Sequence, residues 1–191
     1  MRSTTLLTLT IFAIFATACS ESFTDPRDGK SYGIVKIGEQ TWMADNLNFE
    51  TEGSYCPDGD RRNCDRYGRL YTWEIARTAC PEGWRLPDNA DFATLIETSG
   101  GVALAGESLK STSGWFKKGN GTDAFGFDAR PAGYRAASGS FDGIGGYAYF
   151  WSATTTPDDL AYYLYLDFSA KSAAMNAFPK SDARSIRCIL R

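Results

Sequence analysis

The chain has 191 residues, a formal net charge of -3 and no histidine. Without histidine, the usual Ser-His-Asp and Cys-His catalytic arrangements and histidine-based zinc sites are excluded. The mildly acidic chain also lacks the clustered positive charge that nucleic-acid binding requires, so we expect no nucleic-acid partner. Aromatic residues at 14% and 19 glycines favour a loop-rich fold packed on aromatic side chains over a helical bundle.

The first residues are typical of a targeting segment. Arg2 supplies a short positive region, and Thr4 to Ala18 is mostly apolar and uncharged. Because this run is shorter than the ~20 apolar residues of a membrane-spanning helix, we expect residues 1–18 to be a cleaved signal peptide. The junction "ATAC" fits a general signal peptidase and also a loose lipobox, and both cuts fall before Cys19.

The cysteine count bears on the choice between these two cuts. The five cysteines are Cys19, Cys56, Cys64, Cys80 and Cys188. If Cys19 is acylated, four remain, an even number that suits two disulfides in an oxidising compartment. If it is not, an odd thiol is left at the terminus. We expect a lipid anchor on Cys19, a short spacer over residues 19–23, and export to the outer membrane or cell surface, with this anchor as the contact with the membrane.

The next part of the chain reads as a hairpin followed by a loop. Tyr32 to Ile37 alternates enough for a strand, Gly38-Glu39 suits a two-residue turn with glycine first, and Gln40 to Asn46 is the return strand. Glu50 to Arg66 reads as a polar loop. It holds Cys56 and Cys64, for which a local disulfide and a redox-active pair are the two interpretations, and we favour the disulfide.

Two helices are predicted after this loop. In the first, over Tyr67 to Ala79, Tyr71, Ile75 and Ala79 share one face. In the second, Asp88 is a natural N-cap with Asp91 three residues later. The buried stripe of that helix would consist of Phe92, Leu95 and Ile96, and Gly100-Gly101 would end it.

The remainder of the chain changes from an irregular region to strands. Residues 101–146 are irregular and rich in glycine and serine. The predicted strands are Tyr147 to Ala153, Tyr162 to Phe168, a weak segment from Ala173 to Phe178, and Ser185 to Leu190. In the last strand, alternation would place Ile186, Cys188 and Leu190 on one face. A terminal hairpin, two helices, an irregular region and a closing sheet together predict an α+β fold.

One acidic cluster superficially resembles a calcium loop. Asp58, Asp60, Asn63 and Asp65 lie in the sequence "DGDRRNCD". The cluster lacks the bidentate glutamate and the spacing of an EF-hand, and its two arginines would oppose a cation. We therefore interpret it as a solvated turn and assign no metal and no cofactor, since no motif specific for calcium supports one.

Several aromatic residues are candidates for stacking on the apolar faces of sugar rings. The candidate ligand-binding residues are Trp115, Tyr134, Arg135, Tyr147 and Tyr149. The two last tyrosines follow a glycine-rich stretch, so we expect them to be exposed. For Trp42, Trp84 and Trp151, core packing is the better interpretation. Both Arg135 and Arg85 could contact a ligand carboxylate, but an ion pair within the protein is the safer interpretation.

Several sequence islands carry a resemblance to a known family. They are "TDPRDGKSYGIVKIGEQTWMADNLNF", "YGRLYTWEIARTACPEGWRLPDNADFATL", "LKSTSGW", "FGFDARPAGYR", "FWSAT" and "SIRCI". In this order they resemble the Fibrobacter succinogenes major paralogous domain family, over about residues 24–191. We therefore assign residues 24–191 to a single domain of this type.

The resemblance implies more than membership. It implies a C-type-lectin-like fold, similar also to formylglycine-generating enzymes, in which the terminal strands pair, two helices pack on small antiparallel sheets, and a long loop region lies between them. In that fold Cys80 and Cys188 are adjacent, so a disulfide between them is implied. A surface location is implied as well, but no established biochemical activity.

These observations support a function class and leave its ligand open. We expect a surface-anchored, non-catalytic binding or adhesion lipoprotein whose partner is a polysaccharide or another extracellular or cell-envelope component. One alternative is an oxidoreductase similar to formylglycine-generating enzymes, which needs free thiols. Another is a structural envelope protein with a protein partner.

Overall fold

The computed structural model describes residues 21–191, so the predicted signal peptide, the predicted lipid anchor on Cys19 and the start of the predicted 19–23 spacer lie outside the described residues. The strands are β1 (Ser22–Thr24), β2 (Ser31–Ile37), β3 (Gln40–Met43), β4 (Ser54–Tyr55), β5 (Leu70–Thr72), β6 (Trp84–Arg85), β7 (Ala132–Arg135), β8 (Phe141–Ile144), β9 (Tyr147–Thr155), β10 (Leu160–Asp167), β11 (Ala173–Pro179), β12 (Ala183–Ser185) and β13 (Ile189–Leu190). The α-helices are α1 (Arg61–Tyr67), α2 (Trp73–Ala79), α3 (Asn89–Thr98) and α4 (Ala105–Leu109). Within residues 21–191, no helix has the length and apolar character needed to cross a membrane.

The strands form two sheets. The smaller has the order β1-β2-β3-β13-β6. The larger runs β11-β10-β9-β12-β5-β4, and the β7–β8 hairpin joins it through β12. Their pairs are antiparallel except for that between β12 and β9, where Ser185 lies beside Phe150. Short helices combined with mainly antiparallel sheets make the fold α+β, as the sequence predicted.

The segment Ala183–Leu190 belongs to both sheets. β12 lies in the larger sheet and β13 in the smaller one. Between them, the Met43 N–H donates to the Cys188 carbonyl at 3.0 Å, which fixes the segment against the N-terminal hairpin. The predicted single strand is therefore split. Its predicted alternation is also wrong, because Leu190 is 45% exposed and Arg187 is fully buried.

Arg187 can be buried because hydrogen-bond acceptors surround its guanidinium group. It donates to the side-chain oxygen of Asn46 at 2.6 Å and to the main-chain oxygens of Met43, Phe127 and Asp128. Its guanidinium carbon also lies 4.3 Å from the centre of the Phe127 ring. Burial lowers the pKa of Arg187 to about 10, which still leaves it charged at neutral pH. A buried charge is tolerated where it is fully hydrogen-bonded, as it is here.

Two apolar cores lie on opposite sides of the larger sheet. The first is formed by helices α3 and α4 with β9 and β10, and includes Phe92, Leu95, Phe127, Phe150 and Leu164. The second is formed by α2 with the smaller sheet, and includes Tyr71, Trp73, Trp84, Trp151 and Cys188. Trp42, Trp84 and Trp151 are all buried, which confirms their interpretation as core residues.

Local signals in the sequence correctly place the hairpin and helix α3. Gly38 begins the β2–β3 turn with φ 61°, a conformation that glycine adopts readily. Asp88 caps α3 by accepting from the Asp91 N–H at 3.0 Å, while the Asp91 carboxylate accepts from the Asp88 N–H at 2.7 Å. Arg85 pairs with that same carboxylate at 2.5 Å. Arg85 therefore holds the Asp91 carboxylate in position for its hydrogen bond to the Asp88 N–H.

Two predicted segments differ from the structure. The predicted loop over Glu50 to Arg66 contains β4 and helix α1, because Asp60 caps this helix by accepting from the Arg62 N–H at 2.9 Å. The predicted helix from Tyr67 begins only at Trp73, because Gly68 ends α1 with φ 74° and the chain then pairs as β5. Similarly, residues 101–146 hold α4, β7 and β8 rather than irregular chain alone.

Both expected disulfides are present. Cys56 is bonded to Cys64 across the start of α1, and Cys80, at the end of α2, is bonded to Cys188. The second bond spans 108 positions and ties α2 to the segment that joins the two sheets. All the cysteines between residues 21 and 191 are therefore oxidised.

Candidate functional site

Tyrosines gather on the surface of β9 and β10 that is opposite the first core and next to the second core, which includes Tyr163 and is contacted by Tyr149 and Tyr165. In a strand, alternate side chains face opposite sides. Tyr149 lies opposite Tyr165 across the two strands, with Tyr147 and Tyr163 on the same surface, and Tyr134 of β7 packs against Tyr149. The residues that alternate with them lie in the first core: Ala148, Phe150, Leu164 and Leu166. We call the set Tyr134, Tyr147, Tyr149, Tyr163 and Tyr165 the tyrosine face.

The rings of the tyrosine face are in mutual contact. Tyr149 is at its centre, with ring centroids 5.6 Å from Tyr134, 5.6 Å from Tyr163 and 5.4 Å from Tyr165. Tyr147 stacks on Tyr165 at 5.9 Å. Tyr163 is buried, whereas the other four are half-buried. The result is a continuous aromatic cluster of one buried ring and four half-buried rings.

A buried arginine packs against the rings of the tyrosine face. The guanidinium carbon of Arg184 lies 5.4 Å from the ring centre of Tyr134, 5.2 Å from that of Tyr149 and 4.5 Å from that of Tyr163. Asp182 accepts from the same guanidinium at 3.2 Å. A cation over several aromatic rings attracts each of them, so Arg184 holds the rings in one arrangement before any ligand arrives.

Two phenol groups of the tyrosine face, those of Tyr149 and Tyr165, stay neutral at physiological pH. Burial raises the pKa of Tyr149. Burial also raises the pKa of Tyr165, and its hydroxyl donates to the Asp167 carboxylate at 2.9 Å, which raises that pKa further. These two phenols are therefore neutral, and a neutral phenol can both donate and accept hydrogen bonds. The face therefore combines flat apolar rings with hydroxyl groups.

Two phenylalanines extend this aromatic surface beyond Tyr147. Phe168 lies 6.1 Å from Tyr147 and Phe116 lies 6.4 Å from Phe168, ring centre to ring centre. Phe116 is 55% exposed. It rests on Gly145, where a Cβ atom would overlap its ring. The aromatic surface thus continues from the strands onto the loop that precedes β7.

The sequence "PAGYR" places Tyr134 on the face. Gly133 has φ 66°, and a Cβ atom there would overlap the main chain of Asp142 in the neighbouring strand β8. Glycine permits both this conformation and this close approach. Tyr134 then points to the tyrosine face, and Arg135 points away from it, with its guanidinium carbon 4.1 Å from the Tyr55 ring.

The structure brings together three of the five predicted binding residues. Tyr134, Tyr147 and Tyr149 meet on one surface. Trp115 does not join them, because it is buried with its indole N–H donating to the Ser111 hydroxyl at 2.9 Å. The ring of Trp115 is therefore not open to a ligand from solvent. Arg135 stacks on an aromatic ring rather than forming the expected ion pair.

Sequence reasoning missed Tyr163, Tyr165 and Arg184. The alternation in "YYLYL" would have placed the two tyrosines on the surface of β10 that does not face the first core. No local pattern indicates the position of Arg184, because its aromatic partners come from strands far away in the sequence.

The acidic cluster around α1 shows no geometry for a metal ion. Asp60 is occupied as the helix cap and by its ion pair with Arg62, at 2.6 Å. Across residues 21–191, no group of three or more potential protein ligands is placed to hold an ion. Asn63 and Asp65 of this cluster lie in helix α1.

Comparison with known proteins assigns the chain to a family. The sequence model of the Fibrobacter succinogenes major domain matches residues 35–190. The chain belongs to this family. In this Fibrobacter succinogenes major domain, the matched range contains the whole tyrosine face and both disulfides. No curated protein and no solved structure matches the chain.

Proposed function

We propose that this Fibrobacter succinogenes major domain is a non-catalytic binding module that takes a carbohydrate on its tyrosine face. The observation that carries the proposal is the arrangement of Tyr134, Tyr147, Tyr149 and Tyr165 as half-exposed, mutually contacting rings on one sheet surface. The apolar face of a pyranose matches a flat ring, and neutral phenols can hydrogen-bond to sugar hydroxyls.

The rigidity of the face supports this proposal. Binding costs free energy whenever side chains must be ordered, and a surface that is already ordered avoids that cost. The Arg184 guanidinium, within 5.4 Å of the ring centres of Tyr134, Tyr149 and Tyr163, holds these three rings in place. The ring contacts from Tyr147 to Phe168 and from Phe168 to Phe116 lengthen the aromatic surface. A longer surface suits an oligosaccharide better than a single sugar.

We further propose that the domain is exported and anchored to the outer membrane or cell surface through a lipid on Cys19. Disulfides persist in oxidising compartments, and both pairs among the remaining cysteines are bonded. The same bonds weigh against an oxidoreductase that needs free thiols. A C-type-lectin-like arrangement also belongs to this proposal, supported by the last strand joining the sheet of the N-terminal hairpin.

The test is a pull-down of the purified protein with a panel of insoluble polysaccharides, with and without calcium. We expect at least one polysaccharide to retain the protein. The variants Tyr147→Ala and Tyr165→Ala should each weaken that retention about tenfold, because loss of one ring contact removes on the order of 1 kcal/mol.

Tyr162→Ala is the matched control. Tyr162 is in the same strand and half-buried, but it makes none of the ring contacts of the tyrosine face. Its loss should leave retention unchanged. If no polysaccharide retains the protein under either condition, or if Tyr162→Ala weakens retention as much as Tyr165→Ala, the carbohydrate proposal fails and the structural protein with a protein partner becomes the better account.

A further inference from the structure

A second surface, away from the tyrosine face, has the features of a small-molecule site. It is a cleft of about 320 Å³ beside helix α1, and the Cys56–Cys64 disulfide forms part of its wall. An adjoining hollow shares Lys30, Asn48 and Cys64 with it and continues towards Arg130. We call the first of these the disulfide cleft. Its volume is at the lower end of the range for ligand pockets, which fits a single sugar-sized molecule.

The disulfide cleft contains a buried hydrogen-bond donor without a partner. Arg69 is only 7% exposed. Its guanidinium forms an ion pair with Glu50 at 2.7 Å and donates weakly to the Ser54 hydroxyl at 3.4 Å. Its Nε is buried and finds no acceptor anywhere in residues 21–191. Leaving such a donor unsatisfied costs on the order of 1–3 kcal/mol, so the site favours a molecule that supplies an acceptor.

The same cleft contains a buried acceptor without a partner. The Oδ1 atom of Asn48 is buried and receives no hydrogen bond from the described part of the chain. The main chain of this residue is fixed on both sides, because its N–H donates to the Tyr32 hydroxyl at 3.1 Å and its carbonyl accepts from Lys30 at 2.6 Å. Burial raises the pKa of Tyr32 to about 12, so that hydroxyl stays neutral. The Asn48 side chain is thus held in place with an open oxygen.

One cation of the cleft is open to an anion. The cleft is lined by Lys30, Arg61 and Arg69 together with Glu50 and Asp65. Lys30 is paired with Asp28 at 3.2 Å, and Arg69 is paired with Glu50 at 2.7 Å. Arg61 is the least engaged of the three, since its side chain is 87% exposed and its contact with Glu50 is 3.7 Å. A guanidinium with free donors is well suited to a carboxylate.

From this combination we infer that the disulfide cleft binds a sugar acid, a monosaccharide-sized molecule with both hydroxyl groups and a carboxylate. Both atoms are enclosed, so a ligand hydroxyl accepts from the Nε of Arg69 or donates to the Oδ1 of Asn48 once a small side-chain rotation opens them. The carboxylate lies on the side of Arg61, where positive charge is accessible. This site does not depend on the tyrosine face or on the proposal made for it.

The probe is D-glucuronate, with D-glucose as the neutral molecule of similar shape, titrated into the purified protein by calorimetry. We expect saturable binding of glucuronate and at least tenfold weaker binding of glucose. In a parallel NMR titration, the Arg69 Nε–H resonance should shift with glucuronate, which reports directly on the unpaired donor.

Two substitutions that each remove one positive charge distinguish binding in the cleft from a general effect of net charge. Arg61→Ala should weaken glucuronate binding at least threefold with an unchanged melting temperature, because this side chain is exposed. Arg77→Ala, on α2 and outside the cleft, removes the same charge and should change nothing. Tyr147→Ala should also leave glucuronate binding intact, so this test and that of the tyrosine face can fail separately.

The inference is overturned by any of three results. One is the absence of saturable heat with glucuronate, which would mean that water alone satisfies the two buried atoms. Another is equal affinity for glucuronate and glucose. The third is an Arg77→Ala variant that weakens binding as much as Arg61→Ala does.

Discussion

The two disulfides should differ in how much they stabilise the fold. Each cross-link restricts the unfolded chain, and the loss of entropy grows with the length of the loop that it closes. The Cys80–Cys188 bond closes a loop of 108 positions and the Cys56–Cys64 bond a loop of 8. On this model the first contributes about 5 kcal/mol and the second about 3 kcal/mol to the free energy of unfolding at 25 °C.

The comparison needs two double variants, Cys80→Ala with Cys188→Ala, and Cys56→Ala with Cys64→Ala. Urea denaturation of both, beside the wild-type protein, gives each free energy of unfolding. We expect the first variant to be less stable than the second by about 2 kcal/mol, which is a difference of about 1 M in the urea midpoint. Replacing both cysteines of a pair avoids a leftover buried thiol.

The slope of the urea transition provides a second signature. Removing a long cross-link lets the unfolded chain expand and expose more surface, so the m-value should rise, and more so in the variant without Cys80–Cys188. Loss of packing around the buried Cys188 would lower stability without this rise. Equal losses of stability in the two variants, with unchanged m-values, would refute the argument from loop length.

Three further predictions concern single residues. Arg187→Met should lower the free energy of unfolding by about 3 kcal/mol or more in chemical denaturation, because it leaves buried acceptors on Asn46 and three carbonyls unpaired; a loss below about 1 kcal/mol would contradict this. Asp91→Asn should cost about 2 kcal/mol at pH 7. Burial by itself raises the pKa of Asp91, but hydrogen bonds from Arg85 and the Asp88 N–H lower it overall, so the stabilisation is complete above the ordinary carboxyl pKa of 3.8 and is lost as the pH falls through the lower folded value. The difference between wild type and Asp91→Asn should therefore shrink below about pH 4, and a constant difference would argue against the ion pair. Gly133→Ala should lower the melting temperature and weaken polysaccharide retention together, since its Cβ would displace β8 and move Tyr134; retention lost at an unchanged melting temperature would contradict that link.

Elements governed by neighbours in the sequence were predictable. The capping box of Asp88 and Asp91 involves residues three positions apart, and the turn at Gly38-Glu39 needs only one residue with a positive φ. The strands β9 and β10 were recognisable because long aromatic and apolar runs favour strands. In each case the sequence signal and the structural cause lie within the same few residues.

Features that depend on distant partners were not predictable in this way. Arg187 reads as the outward residue of an alternating strand, and it is buried because acceptors from Asn46 and Phe127 surround it. Tyr71 has helical spacing with Ile75, but pairing with β12 makes its segment a strand. Charged residues are rarely buried unless they are paired, so a rule based on residue type alone places Arg187 and Arg184 on the surface.

In the candidate site, too, the residues with a local sequence signal were predictable, and those placed by distant partners were not. Tyr147 and Tyr149 were found from their own local context, whereas Tyr134 joins them only because Gly133 lets the β7–β8 hairpin pack closely. Trp115 has a flat aromatic ring, as these tyrosines do, and from the sequence it was an equally good candidate for stacking on a sugar. Its hydrogen bond to Ser111 and its place in the first core could be seen only once the chain was folded.

The segment Ala183–Leu190 follows the other elements in chain order, yet it carries one internal strand of each sheet, β12 and β13. During synthesis, the hairpin, the helices and the tyrosine strands therefore leave the ribosome before the piece that connects the two sheets exists. β13 lies between β3 and β6, and β12 lies between β9 and β5, so neither sheet can be completed until this segment has emerged. Cys80 likewise has no bonding partner until residue 188 has emerged. Completion of both sheets is consequently a late event, and a chain that terminates a few codons before residue 183 should lack the strands that join β3 to β6 and β9 to β5.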